Sequence, residues 1–268
     1  MYITFVDFIF FNNGYNDYKV ISENLFEVYA LRSVFIMEYN QYNQPIGEHL
    51  SEFKQPEYPN VDRLEGQYSR IEKLNKSHID QLYKHFSDIE DIPNWTYLPR
   101  EPITNYDQFE TYMNENIQST DPYFFAIINK DSGEAIGLFS LLNINVTDAS
   151  IEVGHIHYSN LLKKTRTATE VHYLLAKYIF EILGFRRYEW KCDSLNEGSK
   201  NSAERLGFTF EGVFRQHKVY KNRNRDTSWF SMLDKEWPAR KEGYEAWLEP
   251  SNFDSNGQQK RKLSLKSN

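Results

Sequence analysis

The chain has 268 residues and is 40% hydrophobic, enough for one substantial domain or two small ones. With 31 basic against 38 acidic residues its formal net charge is −7, which excludes a global positive field that would recruit nucleic acid or an anionic membrane. Only 12 Gly and 9 Pro exclude a collagen-like or linker-dominated chain, and one cysteine, Cys192, excludes an internal disulfide framework and a Cys-based zinc cluster.

The first eleven residues, MYITFVDFIFF, are apolar enough to suggest a signal peptide or anchor. No Lys or Arg precedes the run and Asp7 interrupts it, so a targeting role is not expected and the cytoplasm is the expected compartment. Residues 1–36 hold ten Phe or Tyr in no sustained period, and Met37, which opens a polar stretch, is a candidate start. The expected organisation is an irregular extension over 1–63, one domain over 64–248 and a disordered basic tail over 249–268. That tail carries Lys260, Arg261, Lys262 and Lys266 among Ser, Asn and Gln.

Within 64–248 a short strand near Tyr68–Leu74 precedes a helix that Ser77 caps and that runs to about Phe86. An aromatic loop, Ile89–Ile103, leads to a helix over about Asp107–Ile117. Tyr123–Asn129 and Ala135–Val146 read as a hairpin turning at Lys130–Gly133, and Ile151–Tyr158 as a further strand. Thr167–Gly184 is the clearest helix, because Val171, Leu174, Leu175, Tyr178, Ile179, Ile182 and Leu183 recur at spacings of three and four. A strand over Arg186–Asp193, a helix over about Glu197–Leu206, a hairpin of Phe208–Tyr220 with Arg225–Leu233, and a helix over about Glu236–Leu248 complete the order. Both Leu183-Gly184-Phe185 and Leu206-Gly207-Phe208 end a helix with the glycine that a left-handed cap favours.

The junction Lys163-Lys164-Thr165-Arg166-Thr167-Ala168 sets two lysines and small hydroxyl residues at a helix N-terminus, whose free N–H groups and dipole favour a phosphate. The same residues also fit an ordinary capped helix start. That junction, the run Asn196-Glu197-Gly198-Ser199, the closing Arg205-Leu206-Gly207-Phe208, the loop Asn94–Pro99 and the hairpin residues Phe214–His217 with Arg225–Thr227 stand in a definite order. Together they resemble the GNAT acetyltransferase superfamily, RimJ/RimL-like branch, over about Leu64–Trp247.

The resemblance implies an α/β (α+β type) fold with a central, mostly antiparallel twisted sheet, splayed between the strands ending at Tyr158 and Asp193. It implies direct transfer of acetyl from acetyl-CoA, without a metal, to the amine of a small molecule or peptide N-terminus, by a monomer or homodimer. The family's pyrophosphate loop falls on Lys163, Arg166 and Ala168, with Lys for its first residue and Arg for its first Gly. Lys164, Thr165, Thr167, His155, Ile156 and Asn196 are the other expected cofactor contacts. Glu152, eleven residues before Lys163, matches a strand glutamate that serves as base in the superfamily; an ion-paired strand residue is the other reading. Ala203 stands where many relatives have an acidic Tyr, and Ser199 is the expected substitute, or a first-turn capping serine.

Trp95 and Tyr97 are either acceptor-pocket wall or loop packing, and Arg215 is a substrate contact or pairs with Asp226 across the hairpin. By alternation His155 and His157 face away from Glu152 and read as packing residues, and Cys192 as a buried strand residue. A silent CoA-binding or interaction module on the same fold is the alternative function.

Overall fold

The computed structural model describes residues 38–265, so the candidate start Met37, the aromatic segment before it and Lys266 lie outside the described residues. The chain divides into two units, the first ending at Phe53 and the second beginning at Lys54. In the first, β1 (Glu38–Tyr39) and β2 (Pro45–Ile46) form a small antiparallel hairpin, its turn held by the Asn40 side chain, which accepts from the N–H groups of Tyr42 and Gln44.

The second unit contains an eight-stranded sheet of β3 (Arg63–Glu65), β4 (Ser69–Lys73), β5 (Tyr123–Asn129), β6 (Ala135–Asn145), β7 (Ser150–Tyr158), β8 (Arg187–Asp193), β9 (Thr209–Tyr220) and β10 (Arg223–Leu233). The strand order is β3-β4-β5-β6-β7-β8-β10-β9, and every neighbouring pair is antiparallel except β7 with β8. This is the mostly antiparallel α/β sheet that the sequence implies. Strand β5 is buried on both faces, so its side chains divide by alternation. Phe124, Ala126 and Ile128 join one core, made with α1 (Ile79–Phe86), α2 (Tyr106–Gln118) and Trp95. Tyr123, Phe125 and Ile127 join the other, with α3 (Arg166–Lys177) and its π-helical continuation Tyr178–Leu183, Ala203 of α4 (Glu197–Arg205), and Trp237 and Tyr244 of α5 (Trp237–Leu248). Among the described residues no helix is long and apolar enough to cross a membrane.

Local chemistry sets the ends. Gly184 and Gly207 take left-handed φ values of 82° and 86°, as the two Leu-Gly-Phe triplets suggest. The N-cap before α1 is Asn75 rather than Ser77: its Oδ1 accepts from the Ser77 N–H and hydroxyl, and a 3-10 turn over Lys76–His78 precedes the helix. The turn between β3 and β4 is tied to α3 by Glu170, buried at 3% exposure. Its carboxylate accepts from the N–H groups of Gln67, Tyr68 and Ser69 at 2.7, 2.8 and 2.7 Å and from the Ser69 hydroxyl at 2.6 Å.

At one end of the domain the irregular segment before β3 is packed, and at the other the expected disorder of the tail is corrected. Residues 54–63 pack: Pro56 and Pro59 are buried, the Glu57 N–H donates to the Leu183 carbonyl, and the Asn60 N–H to the Tyr178 hydroxyl. The tail is ordered through Leu265. Phe253 packs edge-on against Trp247, the Asn252 side chain bridges the Trp247 carbonyl and the Arg261 N–H, and Arg240 donates to the Leu265 carbonyl at 2.7 Å. Two apolar anchors offset the polar composition, since burying a Leu or Phe side chain is worth about 1.5–3 kcal/mol. Leu265→Ala should therefore cost about 2–3 kcal/mol in a urea melt, whereas a disordered tail would give no change.

Candidate active site

Strands β7 and β8 pair from Ser150 opposite Arg187 to Val153 opposite Trp190, and no further. Strand β7 then runs on to Tyr158 and β8 to Asp193, so the sheet opens between their C-terminal halves. At the opening β7 is bulged: Gly154 faces Ser140 and His157 faces Leu138, leaving His155 and Ile156 against Phe139 alone. His155 takes a left-handed φ of 49°, and its Nδ1 lies 2.9 Å from the Ser140 hydroxyl. A bulge frees backbone groups and shifts the side-chain phase by one residue. The alternation reading of β7 is corrected accordingly. Ile151 and Val153 belong to the α3-side core, so Glu152 faces the other way, and beyond the bulge His157 stacks on Phe86 at 3.6 Å on that same other face. His155, 5.2 Å from Phe124, joins them there.

On the phosphate side, the loop after β7 ends with Lys164 at φ 59° and Thr165 as N-cap of α3. The Thr165 hydroxyl accepts from the Ala168 N–H at 3.1 Å, and the N–H groups of Arg166 and Thr167 are left as first-turn donors without an intrahelical acceptor. Lys163 reaches Asn94 Oδ1, while Asn94 Nδ2 donates to Asp91 at 2.6 Å and to the Tyr158 carbonyl at 3.1 Å. Asn94 thus ties the aromatic loop to the phosphate loop. Burial lowers the pKa of Lys163, with Asp91 acting in opposition. Arg166 commits its guanidinium to aromatic rings, 4.1 Å over Tyr68 and 5.5 Å over Phe253, so only its N–H stays with the loop.

Across the opening, Asn196 caps α4 by accepting the Ser199 N–H at 3.0 Å. The Ser199 hydroxyl accepts from Trp190 Nε1 at 2.9 Å and lies beside the Cys192 thiol, whose pKa burial raises. Ala203 is fully buried. Glu152, 6% exposed, is ion-paired: its Oε2 accepts from Lys191 Nζ and from Asn143 Nδ2, each at 2.7 Å, and Lys191 also reaches Glu189 at 2.7 Å.

The acceptor side is built on the aromatic loop. Trp95 is buried with its Nε1 on the Phe86 carbonyl, and the Lys221 ammonium holds the carbonyls of Trp95 and Thr96 at 2.9 and 3.2 Å. Tyr97 donates to the Leu195 carbonyl at 3.1 Å, spanning toward the β8 side of the opening. Trp95, Tyr112, Asn116, Phe124, His155 and His157 are among the residues lining a cavity of about 320 Å3 that reaches the bulge. Both histidines are neutral at pH 7: burial, then Lys163, lowers the His157 pKa to about 3, and burial, then Lys218, lowers that of His155.

Tyr112 and Asn116 escape sequence reasoning. The available signal is an Asn on the apolar stripe of α2, at the spacing of Phe109 and Met113. The expected pairing of Arg215 with Asp226 is also corrected. The hairpin turns at Lys221-Asn222, both with positive φ, and a bulge at Gln216 offsets the register. Asp226 instead accepts from the Gln216 N–H and from Asn224, and Arg215 is exposed on the edge strand β9. Among the described residues no cluster of three or more His, Cys, Asp or Glu side chains could hold a metal ion.

A model of the acetyltransferase (GNAT) domain matches residues 70–209. An uncharacterized N-acetyltransferase, p20, from Bacillus licheniformis is 26% identical over 167 residues, which cover 62% of this chain and 93% of that protein. The crystal structure of a GCN5-related N-acetyltransferase from Brucella melitensis superimposes with a TM-score of 0.78 at 44% identity, covering 80% of this chain and 97% of that one. At 19% identity, spermidine N-acetyltransferase from Vibrio cholerae, solved with CoA and spermine, has a TM-score of 0.53 and shares the fold over 63% of this chain and 98% of its own. The opened sheet, the bulge and the domain match together make the chain a member of the GNAT N-acetyltransferase family.

Proposed function

We propose that the protein is a cytoplasmic, RimJ/RimL-like enzyme that transfers acetyl from acetyl-CoA directly to a primary amine. The observation that carries this reading is one opening in the sheet, with helix N-terminal donors on one side and a polar-lined cavity on the other. The residues fit the cofactor. The free N–H groups of Arg166 and Thr167, with Lys163 and Lys164, suit a pyrophosphate, and the bulge at His155 and Ile156 leaves backbone groups for an amide-bearing arm. Asn196 still has its Nδ2 to offer, since its cap uses only Oδ1.

Acetyl-CoA supplies an activated acyl group. As the amine nitrogen bonds to the acyl carbon and the C–S bond breaks, the amine gives up a proton and the thiolate takes one. Glu152 accepts the amine proton through water, using the oxygen that Lys191 and Asn143 leave free, and Ser199 donates from its hydroxyl. The buried Ala203 and the ion-paired Glu152 favour a second reading, a silent CoA-binding module.

One experiment separates them. A ligand binding only the native state stabilises it by about 2.7 kcal/mol at a hundredfold excess over Kd, so acetyl-CoA should raise the melting temperature by several degrees. In Lys163→Glu/Lys164→Glu the shift should vanish while the free protein, having lost the Lys163–Asn94 contact, still melts cooperatively at a somewhat lower temperature; a retained shift would remove the loop from the binding site. Free thiol released with an amine present marks the enzyme, and a melting shift without it the silent module.

A further inference from the structure

The cavity beside the bulge holds buried polar groups that the transfer chemistry leaves unused. Asn116 is nine-tenths buried, and its Nδ2 has the Tyr112 hydroxyl as a polar neighbour but no well-formed hydrogen bond among the described residues; His157, 3% exposed, leaves its Nε2 without one as well. Both line the cavity. A buried donor left unsatisfied costs about 1–3 kcal/mol, so this cavity offers a ligand oxygen, in place of water, a partner already desolvated on the protein side.

The charges around the cavity have the matching sign. Arg100 lies on its rim, stacked 4.5 Å from the centre of the Tyr112 ring, and the positive charge of Lys218 is felt at His155. The sole lining carboxylate, Glu115, is 3.7 Å from Arg100 and 62% exposed, a loose solvent-screened contact that leaves the guanidinium free to recruit an anion. Neutral histidines add no charge. A polyamine, which needs several carboxylates, would meet Arg100 and the single Glu115 instead. Trp95, Tyr112 and Phe124 supply an apolar wall, and 320 Å3 suits one amino acid better than a longer chain.

We infer that the acceptor is a free α-amino acid with an apolar or aromatic side chain, its carboxylate held by Asn116 Nδ2 and Arg100 and its amine directed to the bulge at His155. This rests on the acetyl-transfer reading above. Arg100 and Asn116 are then specificity residues, both supplied by the stretch Arg100–Asn116, so the carboxylate is recognised within 17 residues of sequence.

The test follows thiol release from acetyl-CoA with phenylalanine, phenylalaninamide, the dipeptide Phe-Gly, 2-phenylethylamine and spermidine. Phenylalanine should have the highest kcat/KM, at least tenfold above 2-phenylethylamine, with the amide between them. Asn116→Leu, nearly isosteric, and Arg100→Met, on the half-exposed rim, should each shrink that tenfold gap, with the acetyl-CoA melting shift reporting that each variant is folded. N-acetylphenylalanine should also raise the melting temperature more than N-acetyl-2-phenylethylamine, a readout free of turnover. Equal or faster acetylation of 2-phenylethylamine, spermidine or Phe-Gly, or a gap unchanged in both variants, overturns the inference and leaves the transferase reading standing. Absence of both a melting shift and thiol release with every acceptor removes the two together.

Discussion

Replacing Glu170 with Ala should lower the stability of the domain by about 3–5 kcal/mol, read as a shift in the urea midpoint at constant slope. One carboxylate serves four donors, three of them consecutive backbone N–H groups of the turn between β3 and β4. Backbone donors cannot be relocated, and each one left unpaired costs about 1–3 kcal/mol, reduced where water enters the space. Glu170→Gln should cost about half as much, because an amide oxygen in the place of Oε2 still accepts three bonds while the NH2 confronts the fourth donor, the Gln67 N–H. The same contact explains Gly66. A Cβ there would stand 2.5 Å from the Glu170 carboxylate, which is fixed by its bonds and cannot yield. A loss below 1 kcal/mol for Glu170→Ala would mean that water reaches the turn and that the carboxylate is dispensable.

What was legible in the sequence was whatever repeats locally. The stripe of α3, the Leu-Gly-Phe stops and the hairpin of β5 with β6 each announce themselves within a few residues, and their order suffices for the fold. The Thr165 cap is legible for the same reason, since an N-cap bonds three residues ahead. The misread features are set by distant partners. The Arg166 guanidinium lies over Tyr68 and Phe253, nearly a hundred residues away on either side, a placement the sequence does not announce, while its N–H stays at the loop. The bulge in β7 inserts one residue that no local signal marks, and it moves both histidines to the face of Glu152. The tail fails a composition test because Phe253 and Leu265 are isolated among polar residues, yet each finds a built hydrophobic surface. Asn116 shows the converse. A polar residue on an apolar stripe was visible, but only the cavity gives it a meaning.

Ser199→Ala and Glu152→Gln should separate the two proton transfers. If Ser199 protonates the thiolate, its loss makes the thiolate leave unprotonated, so kcat should fall roughly 10²-fold at every pH, with the KM for acetyl-CoA little changed. Trp190 also loses its acceptor in that variant, a stability cost of about 1 kcal/mol that melting registers separately; Ser199→Thr, which restores a hydroxyl, should recover most of the rate. Glu152→Gln behaves differently if the glutamate takes the amine proton. The defect should be greatest near neutral pH, where the amine is charged, and shrink as pH rises toward the amine's own pKa, because a neutral amine arrives with its lone pair already free and has only the proton released during acyl transfer still to lose. The ion pair makes this profile necessary. Glu152 is one of two carboxylates holding Lys191 at 2.7 Å, so its loss can slow the enzyme merely by shifting β8 against β7. A positional defect has no reason to follow the protonation of the acceptor, and a loss equal at every pH would assign Glu152 to the strand and the base to solvent.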